Sequence, residues 1–165
     1  MPKGTEAAIE AGLERALEEL SAVAGALNEA TDRLNKRILA IEERLGSMGV
    51  GATYWLDQHE HHLGVGPWVE AHISGRDGRS RDSWAVGYTK VGSKWCLAVQ
   101  EVLTQEMRID GESLKWRPRE SFRIGTPITL LSAPRIVRVE AIEEMGALVM
   151  GITERAKDLL SSVKE

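Results

Sequence analysis

Apolar residues recur at alternating steps of three and four along the first part of the chain. One set of positions, spaced seven apart, is Leu13, Leu20, Leu27, Leu34 and Ile41, and the other is Leu17, Ala24, Thr31, Ile38 and Leu45. This heptad spacing keeps one stripe of a helix apolar, and such a stripe needs a partner to cover it. We therefore expect the chain to form a homo-oligomer through Leu13, Leu17, Leu20, Leu27, Leu34, Ile38, Ile41 and Leu45.

The helix that carries this stripe is predicted to begin near Thr5 and to stop at Gly46. Thr5 is a suitable N-cap residue, and a glycine commonly follows the last turn of a helix. The stripe is wider than two heptad positions, because apolar residues extend it on one side at Ile9, Ala16, Val23 and Ala30. A wide stripe rich in alanine suits a helix bundle better than an isolated two-stranded coiled coil.

A second helix is predicted at the other end of the chain, starting at Pro134, because proline is common at the first helical position. Apolar residues recur there at Ile136, Val139, Ile142, Val149, Ile152, Ala156, Leu159 and Val163. The three- and four-residue steps indicate a helix that runs to about Ser162. We expect this helix to pack on the N-terminal one.

Between the two helices the sequence changes character. All eight aromatic residues lie between positions 54 and 122, namely Tyr54, Trp55, Trp68, Trp84, Tyr88, Trp95, Trp116 and Phe122. Aromatic and β-branched residues favour strands, whereas both ends of the chain are rich in helix formers. The segregation predicts an α+β fold with three parts: a heptad helix over 1–46, a β domain over 47–133 and a helix over 134–165.

Turn signals divide the middle segment into hairpins. Strands are predicted at 68–73, 84–91, 94–102, 107–109, 114–116 and 128–131, and turns at Asp77-Gly78, Gly92-Ser93 and Asp110-Gly111. A two-residue turn with glycine between apolar runs is a good hairpin signal. We expect roughly four to six antiparallel strands, arranged as a sheet or as a small β-barrel.

Composition narrows the function classes. The net charge of −4 argues against a protein that coats DNA. Cys96 is the single cysteine, which rules out an intrachain disulfide and is typical of a reducing compartment. No apolar leader and no run long enough to cross a bilayer stands in the sequence. We therefore expect a cytoplasmic protein with no membrane partner.

The histidines raise the question of a metal. All four lie in one window, at His59, His61, His62 and His72. On a strand His59 and His61 would share a face, and His72 could approach from a neighbour. Together with a carboxylate, these three imidazoles could hold zinc or another transition metal. The same residues also suit a polar loop or a strand edge, and no HExxH or CxxC pair accompanies them.

A basic strip suggests nucleic acid instead. Its residues are Lys115, Arg117, Arg119 and Arg123, with Trp116 and Phe122 between them. Positive strand faces with interleaved aromatics are typical of proteins that bind single-stranded nucleic acid. A second basic group, Arg76, Arg79 and Arg81, crowds the predicted Asp77-Gly78 turn. Against this, charged residues also protect strand edges, and residues 47–133 hold ten acidic and ten basic residues.

No residue pattern indicates catalysis or a cofactor. Cys96 lies in an apolar run and resembles a small buried residue more than a nucleophile. The five tryptophans suit a core, or a groove for a peptide or ligand. We therefore expect a non-catalytic, oligomerising adaptor whose β domain recognises a protein or peptide. The alternative is a nucleic-acid-binding regulator, and the third possibility is a metal-dependent enzyme that uses the cluster from His59 to His72.

Overall fold

The computed structural model describes residues 3–73, 76–109, 112–116 and 120–163. In these residues helix α1 spans Lys3–Ser47 and helix α2 spans Arg135–Ser162. Between them lie the strands β1 Tyr54–Trp55, β2 Val69–Ile73, β3 Arg76–Val91, β4 Lys94–Ile109, β5 Glu112–Trp116 and β6 Glu120–Thr129. Short 3-10 turns occur at His59–His61 and Leu130–Ser132. The predicted α+β class, with a long helix on either side of antiparallel strands, is confirmed.

The sheet is built around the β3–β4 hairpin. These two strands pair from Gly78 and Met107 down to Val91 and Lys94, where Gly92 adopts a positive φ of 62°. β1 and β2 pair with the free edge of β3, and β6 pairs with the free edge of β4. The described strands form one open sheet, so the structure has a sheet where either a sheet or a small barrel was predicted. β5 pairs only with the far end of β4, past a bulge.

The pairing register divides the sheet into two faces. Residues directly opposite each other in antiparallel strands point to the same side. One side, the helix face, carries the buried pairs Tyr88–Leu97 and Val86–Val99. The other side, the groove face, carries Ser83–Val102, Gly87–Ala98 and Thr89–Cys96. Small and polar residues on the groove face leave room above the sheet, whereas the helix face is covered by apolar packing.

Helix α2 ends at Ser162, as predicted, and covers the helix face. Its buried residues are Val137, Ala141, Met145, Leu148 and Ile152. Of the residues that the periodicity selected, Ile152 is buried, whereas Ile136, Val139 and Val149 are exposed. The helix has apolar residues on more than one side, and the buried side contains the small Ala141, which brings the helix axis close to the sheet.

The chain forms two compact units, residues 1–37 and 38–165, so the division falls inside α1. The last turns of α1 belong to the second unit, because Ile38 and Leu45 are buried in its core and the Leu97 N–H donates to Glu42 Oε2 over 3.3 Å. The first unit is the helix up to Arg37. Among the described residues, no helix is both long enough and apolar enough to cross a membrane.

The first hairpin differs from the prediction. Asp77 and Gly78 do not form a turn, because they lie in β3 and pair with His72 and Ala71. Residues 74–75, between β2 and β3, lie outside the described part. Gly78 is needed for close packing: a Cβ there would come within 2.7 Å of Ile73 Cδ1 and 2.8 Å of the Glu106 carbonyl oxygen. The glycine therefore marks a crowded strand position.

Candidate binding groove

The segment between β1 and β2 follows the edge of β3 and leaves it once. Leu56 N–H donates to the Val86 carbonyl over 2.9 Å, and Leu63 exchanges two 2.8 Å backbone hydrogen bonds with Trp84. Between Leu56 and Leu63 the chain departs from the strand and forms the His59–His61 turn. Glu140 and Glu144 of α2 accept hydrogen bonds from Gly64 N–H and His61, each over 2.5 Å. The excursion is thus fixed to α2 on one side of the sheet.

On the groove face this excursion forms one wall of a cavity of about 610 Å³. The cavity is lined by Trp55, Asp57, His62, Thr89, Gln100, Val102, Ser121, Phe122, Arg123 and Pro127. These residues come from the β1 edge, from β3 and β4, and from β6. We call this cavity the groove. Its volume lies within the range of about 300–1,000 Å³ typical of small-molecule sites.

One wall of the groove is formed by Gly87, the Trp55 ring and the Arg123 guanidinium, which are packed against one another. Trp55 pairs with Gly87, and a Cβ at Gly87 would lie 2.5 Å from the indole ring, so the ring lies directly against the strand. The guanidinium carbon of Arg123 lies 4.9 Å from the centre of the same ring. Arg123 Nε also lies 3.5 Å from Asp57 Oδ1. Stacking and ion pairing together fix the orientation of a partly exposed guanidinium.

The remaining polar groups are also held by hydrogen bonds. Gln100 Nε2 donates to the Gly125 carbonyl over 2.8 Å, and the hydroxyl groups of Thr104 and Ser121 lie 2.9 Å apart. His62, which is buried, has Nδ1 at 3.3 Å from the Ser83 hydroxyl. The groove therefore offers donors and acceptors in positions that the fold sets in advance.

The predicted histidine cluster is dispersed. His61 pairs with Glu144 of α2, while His72 lies 3.4 Å from Asp77 at the exposed first hairpin. His62 lines the groove, and the side chain of His59 lies outside the described part. In the part of the chain that the structure describes, no three His, Cys, Asp or Glu side chains are grouped so as to hold a metal ion.

Of the four residues in the predicted basic strip, Arg123 is the one whose side chain is described, and it lines the groove. Arg117 and Arg119 lie outside the described residues, as does the side chain of Lys115. The second basic group has become part of a strand: the guanidinium groups of Arg79 and Arg81 stack on Trp68, at 4.5 and 4.6 Å from its centre.

The charge of Arg79 is matched by a buried carboxylate. Arg79 Nε donates to Glu106 Oε2 over 2.7 Å, and Arg79 Nη2 contacts the same oxygen. Glu106 lies on β4 and is almost completely buried. Because this charge is compensated, Arg79 adds less positive potential to the groove face than its sequence position suggested.

Ionisable groups at the end of α1 support the interpretation of Cys96 as a packed residue. Burial raises the pKa of the Cys96 thiol, and the nearby Glu42 carboxylate raises it further. Burial also raises the pKa of Glu42, although the Leu97 N–H and Lys94 act in the opposite direction. A thiol with a raised pKa is mostly protonated at neutral pH and is a poor nucleophile.

Four groove residues were singled out from the sequence, namely Trp55, His62, Phe122 and Arg123, whereas Gln100 and Ser121 were missed as binding groups. Asp57, Gln100 and Ser121 stand far apart in the chain and belong to no motif. Only the register of β6 on β4 and the excursion before Leu63 bring them together. Comparison of the chain with protein-family models, with curated proteins and with solved structures finds no match.

Proposed function

We propose that this chain is a non-catalytic, self-associating interaction protein. Helix α1 joins copies of the chain, and the β unit recognises a protein or peptide partner. The observation that carries the proposal is the apolar stripe of the first unit. Six of its residues are between 47% and 66% exposed: Ile9, Leu13, Leu17, Leu20, Val23 and Leu27. Apolar residues at these spacings are used in proteins to bind another helix.

Helix energetics support an association. A lone helix gains little stability in water, and most helices in proteins are held by packing of their apolar side. The stretch up to Arg37 has glycines at positions 12 and 25, which each weaken a helix interior by about 1 kcal/mol relative to alanine. Burial of the leucine stripe in a helix pair offsets this cost, since apolar burial contributes about 25 cal/mol per Å².

A second copy of the chain is the partner that the charges favour. Residues 3–19 of the helix have a net charge of −3, from five glutamates against Lys3 and Arg15, and residues 20–37 have a net charge of +1, from Arg33, Lys36 and Arg37 against Glu29 and Asp32. Two copies that pair in antiparallel orientation place acidic halves beside basic halves. A parallel pair would place like charges together, which is unfavourable. We therefore propose an antiparallel association through α1.

The edge strand β6 supports recognition of a peptide by the β unit. No other described strand pairs with its outer edge, and Phe122 and Ile124 are exposed on it. An extended peptide can add to such an edge through backbone hydrogen bonds, with side-chain contacts supplying specificity. Gly125, with a φ of 66°, and Pro127, which has no N–H, restrict this edge to residues 120–124.

Binding of nucleic acid is the second candidate. The stacked pair of Arg79 and Arg81 on Trp68, together with Arg123, gives the groove face some positive charge. Asp57 and Glu106 reduce it. Lys115, Arg117 and Arg119 belong to the same hypothesis. A metal-dependent enzyme is the third candidate. The single, buried cysteine is the basis on which we infer a cytoplasmic location.

The mass of the full chain in solution tests the proposal. We expect multi-angle light scattering at tens of micromolar to give a multiple of 18.2 kDa, and the mass to fall as salt screens the paired charges. A single-chain mass at every concentration would contradict the proposal. If the purified protein also carries material absorbing at 260 nm and binds single-stranded RNA at low salt, the nucleic-acid alternative replaces peptide recognition.

A further inference from the structure

The groove does not depend on association of the helices, and its chemistry indicates a ligand of its own. We propose that the groove binds a neutral saccharide. This goes beyond the proposed function, since neither self-association nor an edge strand that binds peptides requires a small-molecule site. Three features of the groove support this ligand: its balance of charge, its supply of hydrogen-bonding groups and the packing of its aromatic ring.

Charge is the first step. Arg123 and Asp57 form an ion pair at the groove, with 3.5 Å between Nε and Oδ1. An anion that is attracted by the guanidinium is repelled by the adjacent carboxylate. A cation that is attracted by the carboxylate is repelled by the guanidinium. A ligand without net charge avoids both repulsions and can use both partners. The pair therefore favours a neutral ligand over a phosphate, a carboxylate or an amine.

The supply of hydrogen bonds is the second step. Asp57 and the Oε1 atom of Gln100 accept hydrogen bonds, the guanidinium of Arg123 donates them, and the hydroxyl of Thr89 can do either. Gln100 is fixed by the bond from its Nε2 to the Gly125 carbonyl. A hydroxyl group both donates and accepts, so neighbouring hydroxyl groups of a sugar ring can satisfy a carboxylate and a guanidinium that lie side by side.

The aromatic ring and the apolar lining are the third step. Gly87 and Arg123 both contact the Trp55 ring, so little of this ring is left for a ligand to stack on. The apolar lining also includes Val102, Phe122 and Pro127, which suit the C–H groups of a saturated ring. A cavity of about 610 Å³ has room for such a ligand.

The experiment measures binding of named sugars to the full chain. Glucose, galactose, mannose, N-acetylglucosamine, maltose and cellobiose are tested by saturation-transfer NMR and calorimetry, with glucuronate, glucosamine, AMP and dialanine as comparison ligands. We expect at least one neutral sugar to bind better than all comparison ligands. Asp57→Asn should weaken that binding about tenfold, because a hydrogen bond to a charged carboxylate becomes a weaker one to a neutral amide oxygen.

Asp77→Asn is the matched control, because Asp77 also forms an exposed ion pair, with His72 at 3.4 Å, and lies outside the groove. It should leave sugar affinity unchanged, and a second groove variant, Gln100→Ala, should reduce it. Three results would overturn the proposal: no neutral sugar binding at a dissociation constant of about 10 mM or tighter, equal affinity in Asp57→Asn and the wild type, or preference for a charged ligand, nucleotide or dipeptide. Light scattering on the same samples reports self-association separately.

Discussion

Gly151 of α2 lies so close to Tyr54 of β1 that a Cβ at position 151 would overlap ring atoms Cζ and Cε1. This contact lets the helix lie against the edge of the sheet. We predict that Gly151→Ala lowers the free energy of unfolding by about 1–3 kcal/mol, because the added methyl group forces the helix and the ring apart. Urea denaturation followed by tryptophan fluorescence measures the change.

Gly146 supplies the matched control for this substitution. It lies on the same helix, is exposed, and has nothing within 4 Å of the position that a Cβ would take. Gly146→Ala should therefore stabilise the protein by up to about 1 kcal/mol through helix propensity alone. If both substitutions shifted stability equally and in the same direction, close packing at Gly151 would not be the cause.

The exposed stripe of α1 gives the second prediction. We expect Leu20→Asp combined with Leu27→Asp to convert the assembly into single chains or to unfold α1, since each unpaired charge at a helix contact costs about 3 kcal/mol or more. Light scattering and far-ultraviolet circular dichroism measure the two effects. In a protein that is monomeric these exposed positions would tolerate the change within about 0.5 kcal/mol.

Ala22→Asp controls for the introduced charge, because Ala22 is exposed and lies on the side of α1 away from the heptad stripe. The mass of this variant should equal that of the wild type. Dissociation by Ala22→Asp as well would mean that added negative charge, and not loss of the leucine contacts, separates the copies.

Glu42 gives a prediction of pH dependence. Because burial raises its pKa in the folded chain, the carboxyl binds its proton more tightly there than in the unfolded chain. Its contribution to stability is thus fully present below the ordinary value near 4.5 and is lost as the pH rises through the raised pKa. Glu42→Gln should be more stable than the wild type at neutral pH, and the difference should vanish in acid.

Denaturation curves at several pH values measure this difference, and Glu43→Gln serves as the comparison, since Glu43 is exposed and adjacent. The glutamine at position 42 keeps an oxygen that can accept the hydrogen bond from Leu97 N–H. A variant that is less stable than the wild type at neutral pH would show that Lys94 and this hydrogen bond outweigh burial.

The buried pair of Glu106 and Arg79 gives the fourth prediction. Glu106→Gln should destabilise the fold by about 1–3 kcal/mol, because the guanidinium loses its counter-charge in a mostly buried setting. Glu154→Gln removes one partner of an exposed pair with Lys157 and should change stability by about 0–0.5 kcal/mol. Thermal denaturation of both variants checks the contrast, and equal effects would contradict it.

The elements that depend on local signals could be predicted from the sequence. The Gly92-Ser93 hairpin follows from a two-residue turn that needs a positive φ, and α2 begins at Arg135, one residue after the predicted start at Pro134, which is the N-cap. Of the face that α2 buries only Ile152 was selected by periodicity, since apolar residues lie on more than one side of this helix and the sequence does not say which side meets the sheet. The turn at Asp77-Gly78 was wrong for a similar reason, because crowding next to Ile73 also calls for a glycine.

The groove could not be predicted from local sequence patterns, because its residues come from distant parts of the chain. Its ion pair joins Asp57 to Arg123 across 66 positions of sequence, and its tryptophan is positioned by Gly87 of a third segment. No spacing rule connects such residues. A register shift between Val99 and Glu101 on β4 sets where β6 places its side chains, and bulges of this kind have weak sequence signals.

The position of α2 after the strands in the chain order has a consequence for synthesis on the ribosome. The β3–β4 hairpin can form as soon as it emerges, since its turn is local and hairpins close in microseconds. The packing of its apolar side, with Tyr88, Val86 and Leu97, is complete only after α2 has been translated. Until α2 has been translated, the nascent chain exposes an apolar surface to which chaperones can bind. A premature stop codon before residue 137 removes all the residues with which α2 covers this surface.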